Sequence, residues 1–129
     1  EDNSGLLWIG AGGLNIYNRN QNQFKHFVHN PNNQNSLSNN KITSFEEDSK
    51  GGIWIGTETG GLNHFDPIRR RFTSYTYQNS QNSISSDNIS AIVEDDYGNL
   101  WLSSDYGIIV FNINDEFSEL ISVSLTSSK

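Results

Sequence analysis

Three tryptophans recur along this chain at an almost constant interval. Trp8, Trp54 and Trp101 are separated by 46 and 47 residues. Each stands three residues after a glycine, and these glycines are Gly5, Gly51 and Gly98. A tandem repeat of this length constrains the architecture more than any single residue does, because each unit must pack against its neighbours. We therefore expect repeated residues to serve packing and turns, with all three tryptophans in equivalent, largely buried positions. Binding is expected to use positions that differ between units.

The repeat extends well beyond the tryptophan. An acidic pair precedes each copy at a fixed distance, and the pairs end in Asp2, Asp48 and Asp95. A glycine and an apolar run follow the tryptophan at 13–17, 61–65 and 107–111. The spacing of each aspartate from its glycine predicts a tight turn, in which the carboxylate accepts backbone hydrogen bonds and the glycine takes a positive φ.

Four short strands, which we name A to D in chain order, are predicted in each complete unit. The runs are rich in β-branched and aromatic residues and are bounded by Gly, Asn, Asp or Pro. Strand A is predicted at 42–47 and 89–94, and strand B at 6–10, 53–57 and 100–103. Strand C is predicted at 14–18, 62–66 and 108–112, and strand D at 23–28, 71–77 and 117–123.

Strands A and B are apolar on both faces, as Ile42, Phe45, Ile53 and Ile55 illustrate. A strand loses its alternation when both faces of its sheet are buried, and a small sheet between two like sheets meets that condition. We therefore predict an all-β fold of β-propeller blades, each a four-stranded antiparallel sheet, with about 2.7 blades in this partial propeller. The predicted units are a blade without strand A at 1–30 and full blades at 36–78 and 83–125.

A propeller closes with about four to eight blades, so this segment is expected to have partners. Open sheet edges and uncovered apolar faces favour association. The partners are expected to be further blades, either of a parent chain or of a homo-oligomer of two or three copies. The segment 119–127 alternates like a strand and is expected to pair beyond strand D. No leader is recognisable at the start, and we interpret the sequence as a fragment.

Composition excludes several classes of protein. The chain has 129 residues, a net charge of −7 and no cysteine. Nucleic-acid binding is not expected, because phosphate neutralisation needs clustered Lys and Arg. A disulfide framework and a cysteine-based metal site are excluded. No run approaches the roughly 18 to 20 apolar residues of a membrane span.

The repeated phrases resemble the two-component regulator propeller repeat. Residues 35–66 match the family pattern nearly throughout, residues 82–112 match it well, and residues 1–18 match its second half. The third copy departs from the pattern at Ser103-Ser104 and at Ile108-Ile109. The resemblance implies a bacterial sensor region outside the cytoplasm, in the periplasm, that serves signal transduction. In such proteins propellers precede a sandwich domain, a membrane span and a kinase or cyclase output, and some members sense glycan fragments.

The candidate ligand site lies in the loops between strands B and C, because these loops differ between units. They carry Thr57, Glu58 and Thr59 in one unit, and Ser104, Asp105 and Tyr106 in the next. Polar groups beside an aromatic ring suit a sugar or another small polar ligand. The sequence thus predicts a non-catalytic propeller segment of a signalling receptor, which senses a ligand or docks a protein. The alternative is a structural or protein-interaction scaffold with no small ligand.

Signals for catalysis and metal binding have structural explanations. Asp-x-x-Gly-x-x-Trp resembles the hairpin of sialidase-type propellers, but a turn explains it, so a glycan-cleaving enzyme is the weakest hypothesis. Glu47 and Glu94 occupy one repeated position and are interpreted as strand-end residues rather than an acid and base pair. His26 and His29 would point to opposite faces of a strand, which disfavours a shared metal ion. No cofactor is predicted.

Overall fold

The computed structural model describes residues 5–77, 84, 86–114 and 117–121, the last of these as backbone only. Eleven strands and no helix are found in these ranges. Strands β1 to β4 are Leu6–Gly10, Leu14–Asn18, Gln23–Phe27 and Ile42–Glu47. Strands β5 to β8 are Ile53–Thr57, Leu62–Asp66, Arg71–Tyr75 and Ile89–Glu94. Strands β9 to β11 are Asn99–Ser104, Gly107–Asn112 and Phe117–Ile121.

The strands form three antiparallel sheets in which neighbours in sequence are neighbours in space. The orders are β1-β2-β3, β4-β5-β6-β7 and β8-β9-β10-β11. The second and third sheets are four-stranded meanders, as propeller blades are, and the three strands of the first sheet are strands B, C and D of its blade. The predicted fold class is confirmed. The exact unit boundaries, 1–30, 36–78 and 83–125, stay a prediction.

Most predicted strands agree with the observed ones within one or two residues. The predicted strand D at 71–77 ends at Tyr75, and the predicted strand at 100–103 extends over Asn99–Ser104. Part of the predicted strand at 117–123 and most of the tail at 119–127 lie outside the described residues, as do Asp2 and the Asn-Ser pair at 82–83.

The turns between strands A and B form through their aspartates. Asp48 Oδ1 accepts hydrogen bonds from the backbone N–H groups of Lys50 and Gly52, at 2.8 and 2.7 Å. Asp95 Oδ1 accepts the same pair of bonds in the third sheet, at 2.8 and 3.0 Å. Gly51 and Gly98 follow at φ +90° and +84°, in the left-handed region that a Cβ disfavours. The turn chemistry is therefore local to the repeated phrase.

Two apolar cores lie between the three sheets. The core between the first and second sheets contains Leu14, Ile16, Leu37, Ile53, Ile55, Phe65 and Phe72. The core between the second and third sheets contains Trp54, Leu62, Tyr75, Ile84, Ile89, Ile92, Leu100, Leu102, Ile109 and Phe111. Full burial of a Leu, Ile or Phe side chain stabilises a fold by about 1.5–3 kcal/mol. The sheets are thus held face to face chiefly by hydrophobic packing.

The three tryptophans take equivalent strand positions but not equivalent environments. Each lies on strand B of its sheet, as predicted. Trp54 is only 3% exposed, whereas Trp8 is half-buried and Trp101 is 40% exposed. The prediction that all three are largely buried is therefore wrong. Trp54 packs against Phe111 of the third sheet. No described sheet covers the face of the third sheet on which Trp101 lies. Among the described strands, β1 has a neighbour, β2, on one side only.

Polar contacts also join the second and third sheets near their A strands. The hydroxyl of Thr43 donates to the backbone oxygen of Ile89, and Glu46 Oε2 accepts the N–H of Glu94 at 3.3 Å. These contacts set β4 beside β8. No described helix is long and apolar enough to cross a membrane.

Candidate functional site

The candidate site is a cleft at the end of the sheets where the B–C loops and the D–A connections emerge. Its volume is about 590 Å³. The B–C loop of the second sheet, the B–C loop of the third sheet and the connection between these two sheets all contribute to it. The described residues that line it are Glu58, Thr59, Tyr77, Ser86, Asp87, Asn88, Asp105 and Tyr106.

Four of the six residues predicted from the B–C loops line this cleft. Glu58 and Thr59 come from the second sheet, and Asp105 and Tyr106 come from the third. The structure thus brings the two predicted loops together across the boundary between blades. Ligand binding by these residues stays a proposal.

The other two predicted residues shape their loops from within. Thr57 is fully buried, and its hydroxyl donates to Gly61 O at 2.8 Å while accepting the Gly60 N–H at 2.9 Å. The hydroxyl of Ser104 donates to Gly107 O at 2.8 Å and accepts the Tyr106 N–H at 3.2 Å. These bonds close the B–C loops and fix how the lining residues are presented.

The D–A connection supplies four lining residues that the sequence did not single out. They are Tyr77, Ser86, Asp87 and Asn88. The connection is rich in Asn and Ser and recurs in register with the repeat, which is typical of a long loop between units. One signal was present, because Tyr77 stands where the first unit has His29, so this position differs between units.

Hydrogen bonds hold the D–A connection to both neighbouring loops. Ser86 is 4% exposed, and its hydroxyl donates to Asp105 Oδ1 at 2.5 Å and accepts the Asn88 N–H at 3.1 Å. Asp87 Oδ1 accepts the Tyr77 N–H at 2.6 Å, and Asp87 O accepts the Gly61 N–H at 2.8 Å. These bonds tie the described cleft residues of the connection to both B–C loops, which limits the ordering that a ligand would have to impose on those residues.

The rim of the cleft is open to solvent. Tyr77 and Tyr106 are 63% and 68% exposed. Glu58 Oε2 lies 3.3 Å from Lys41 Nζ, and both side chains are largely accessible to water. An exposed pair of this kind stabilises a fold by only about 0–1 kcal/mol. The two tyrosine rings and the Glu58 carboxylate are thus accessible to another molecule.

Carboxylates also gather at the opposite end of the sheets, around the A–B turns. This group comprises Glu46, Glu47, Asp48, Glu94, Asp95 and Asp96. Burial raises the pKa of Glu94, and the charges of Asp48, Glu46 and Asp95 raise it further. A hydrogen bond from the Trp101 indole, at 2.9 Å, is the main cause that lowers the pKa of Asp95 to about 2.

No group of three or more potential metal ligands is found within the described ranges. The two histidines at the end of the first unit have separate partners. His26 Nδ1 lies 2.7 Å from Asn15 Oδ1, and His29 Nδ1 lies 2.8 Å from Leu37 O. Both are engaged in contacts that hold strands and loops of the first two sheets.

Comparison with known families bears on the repeat itself. Residues 36–59 and 83–106 match the two component regulator propeller family. Each of these two stretches is similar to a two-component regulator propeller repeat. The resemblance seen in the sequence is therefore confirmed. Each matched stretch runs from the D–A connection through strands A and B into the B–C loop, so both matches end among cleft-lining residues.

Solved structures share the fold of this propeller segment. The extracellular domain of BT3049 from B. thetaiotaomicron, described as a hybrid two component system, aligns with a TM-score of 0.82 and 23% identity over 92% of the chain. The extracellular domain of BT4673 from the same bacterium aligns with a TM-score of 0.77 and 24% identity over 94% of the chain. Yeast Sqt1 aligns with a TM-score of 0.61 and 18% identity over 92% of the chain.

The chain spans 17% and 18% of the length of the two bacterial domains and 31% of Sqt1. At these identities the likeness shows the fold alone. A search of curated proteins finds no significant match.

Proposed function

We propose that the chain is a non-catalytic propeller segment of a bacterial signalling receptor, placed outside the cytoplasm, and that its cleft binds an oligosaccharide. The observation that carries the proposal is the cleft of about 590 Å³ between the second and third blades. It forms where two non-equivalent B–C loops meet. Such positions are free to serve binding, since packing does not dictate them.

The lining chemistry suits a sugar. Tyr77 and Tyr106 line the cleft with largely exposed rings, and such rings can pack on the apolar C–H face of a pyranose. Asp87, Asn88 and Asp105 supply oxygen acceptors and amide donors for sugar hydroxyls. A pocket with aromatic walls and a few placed polar groups is typical of small-molecule sites. The receptor role is supported by the repeat family and by the extracellular placement of the two bacterial structural relatives.

A scaffold without a small ligand is the alternative function. It is favoured by the apolar side chains exposed on the first and third sheets, among them Ile9 and Val93. These residues would dock further blades or another protein. A glycan-cleaving enzyme is the weakest alternative, and a turnover assay with the purified receptor would reveal it. We expect no hydrolysis of any glycoside.

The test is an oligosaccharide array probed with the intact extracytoplasmic region of the receptor. The cleft variant replaces both rim tyrosines, Tyr77→Ala and Tyr106→Ala. The matched control is Tyr97→Ala, because Tyr97 is 85% exposed in the A–B turn at the opposite end. We expect saccharide binding that the cleft variant loses and the control keeps. Absence of binding to every saccharide, or equal loss in both variants, would overturn the proposal.

A further inference from the structure

The charge of the cleft narrows the class of ligand that it can take. Three of the eight described residues that line it are acidic, namely Glu58, Asp87 and Asp105. None of the eight is Lys, Arg or His. Lys41 is nearby but is paired with Glu58 at 3.3 Å. The whole chain carries a net charge of −7, so the wider field has the same sign.

The hydrogen-bonding capacity of the cleft carboxylates also disfavours an acidic ligand. One oxygen of Asp105 accepts from Ser86, and one oxygen of Asp87 accepts from the Tyr77 N–H, which leaves each carboxylate with a second oxygen. An ionised carboxylate only accepts hydrogen bonds. Its complement on a ligand is a hydroxyl or an ammonium group, because both donate. Uronate and sulfate groups only accept, so they are mismatched in hydrogen bonding as well as in charge.

We infer that the cleft selects uncharged or amine-bearing oligosaccharides and excludes those with uronic-acid or sulfate groups. This inference rests on the proposed function and names the ligand class of the same site. Two like unit charges about 4 Å apart weaken binding by about fivefold even at the dielectric constant of water. Lys41 offsets the charge of Glu58, but no such pair offsets Asp87 and Asp105 among the described residues. These two carboxylates therefore predict discrimination of at least about tenfold against an acidic sugar.

The experiment compares matched pairs of saccharides on the intact extracytoplasmic region. The array holds neutral, amine-bearing and acidic oligosaccharides. It includes two matched pairs, cellotetraose with tetraglucuronate and mannotetraose with tetramannuronate. In each pair the second saccharide carries uronic-acid groups and the first does not. Saccharides that bind are titrated calorimetrically against wild type and against the double variant Glu58→Gln, Asp105→Asn. The amide of Asn can still accept the Ser86 bond, so the loop geometry is retained. Glu47→Gln is the control, since it removes one exposed charge at the opposite end.

We expect acidic saccharides to bind at least about tenfold more weakly than their neutral partners. The difference in affinity between neutral and acidic saccharides should become smaller in the cleft double variant and stay unchanged in Glu47→Gln. Acidic saccharides that bind as tightly as neutral ones, or a gap that the double variant leaves unchanged, would overturn the inference while leaving saccharide binding intact. Absence of binding to every saccharide would instead overturn the proposed function, and the inference would fall with it.

Discussion

His64 Nε2 lies 2.7 Å from Asp48 Oδ2, and the imidazole centroid lies 4.4 Å from the indole of Trp54. In the third sheet the equivalent carboxylate, Asp95, accepts instead from the Trp101 indole at 2.9 Å. The strand C residue opposite Trp101 is Val110, which has no side-chain donor. One substitution between repeats thus changes the partner of the turn carboxylate. The buried Nε1 atoms of Trp54 and Trp8 have no hydrogen-bond partner among the described residues.

The contact between Asp48 and His64 predicts a pH-dependent stability. Burial raises the pKa of Asp48, but hydrogen bonds from His64 and from the Gly52 and Lys50 N–H groups lower it by more, so the net shift is downward from 3.8. Because the pKa is lower in the folded state, ionised Asp48 stabilises the fold above pH 3.8, and this contribution is lost as the pH falls through the folded-state value.

We therefore expect Asp48→Asn to lower the free energy of unfolding by about 1 kcal/mol at pH 7. The difference from wild type should hold down to about pH 3.8 and then shrink as the pH falls through the lower folded-state pKa of Asp48. Urea denaturation of both proteins between about pH 7 and about pH 2 measures it. A difference that is constant over this range would show that the charge of Asp48 does not stabilise the fold.

Trp54 is covered by a neighbouring sheet and Trp101 is not, so truncating them should lower the free energy of unfolding by different amounts. Trp54→Ala should destabilise the protein by about 3–5 kcal/mol, because the side chain fills the core between the second and third sheets. Trp101→Ala should cost clearly less, since its side chain is 40% exposed. Chemical denaturation of the two variants tests this. Equal losses would mean that the third sheet has a further neighbour in solution.

The raised pKa of Glu94 predicts a stabilising substitution. Burial first, and then the charges of Asp48, Glu46 and Asp95, raise this pKa. A raised folded-state pKa means that the group stabilises the fold when protonated and loses this contribution as the pH rises through that value. Glu94→Gln should therefore raise the urea midpoint modestly at pH 7 and have no such effect at acidic pH. A lower midpoint at pH 7 would contradict the repulsion inferred here.

Exposed apolar residues predict association of the isolated chain. Ile9 and Phe24 on the first sheet are 44% and 68% exposed, and Val93 beside Trp101 on the third is 60% exposed. Apolar surface of this kind favours contact with further blades. Sedimentation at micromolar concentration should show dimers or trimers of the 129-residue chain. A monomer that melts cooperatively would show that these sheets are stable alone.

The strands were predictable because their boundaries depend on local chemistry. The Asp-x-x-Gly turn and the following apolar run recur in each phrase, and each needs only residues within a few positions. The burial of the tryptophans was not predictable from the phrase. It depends on which sheet lies against each one, and that is not encoded near the tryptophan itself.

Half of the described residues that line the candidate site were predictable from the sequence. Glu58, Thr59, Asp105 and Tyr106 stood out because the B–C loops differ between otherwise similar units. The contribution of the D–A connection was missed, since its polar composition is that of an ordinary loop between units. Only the folded chain shows that Ser86 binds Asp105 and brings this segment into the cleft.

The most direct test is a crystal structure of the extracytoplasmic region with a saccharide selected on the array. We expect the saccharide between the second and third blades, in contact with Tyr106 and with the carboxylates of Asp87 or Asp105. A saccharide bound at the opposite end, among Glu46 and its acidic neighbours, or against the open face of the third sheet, would contradict a binding role for the cleft.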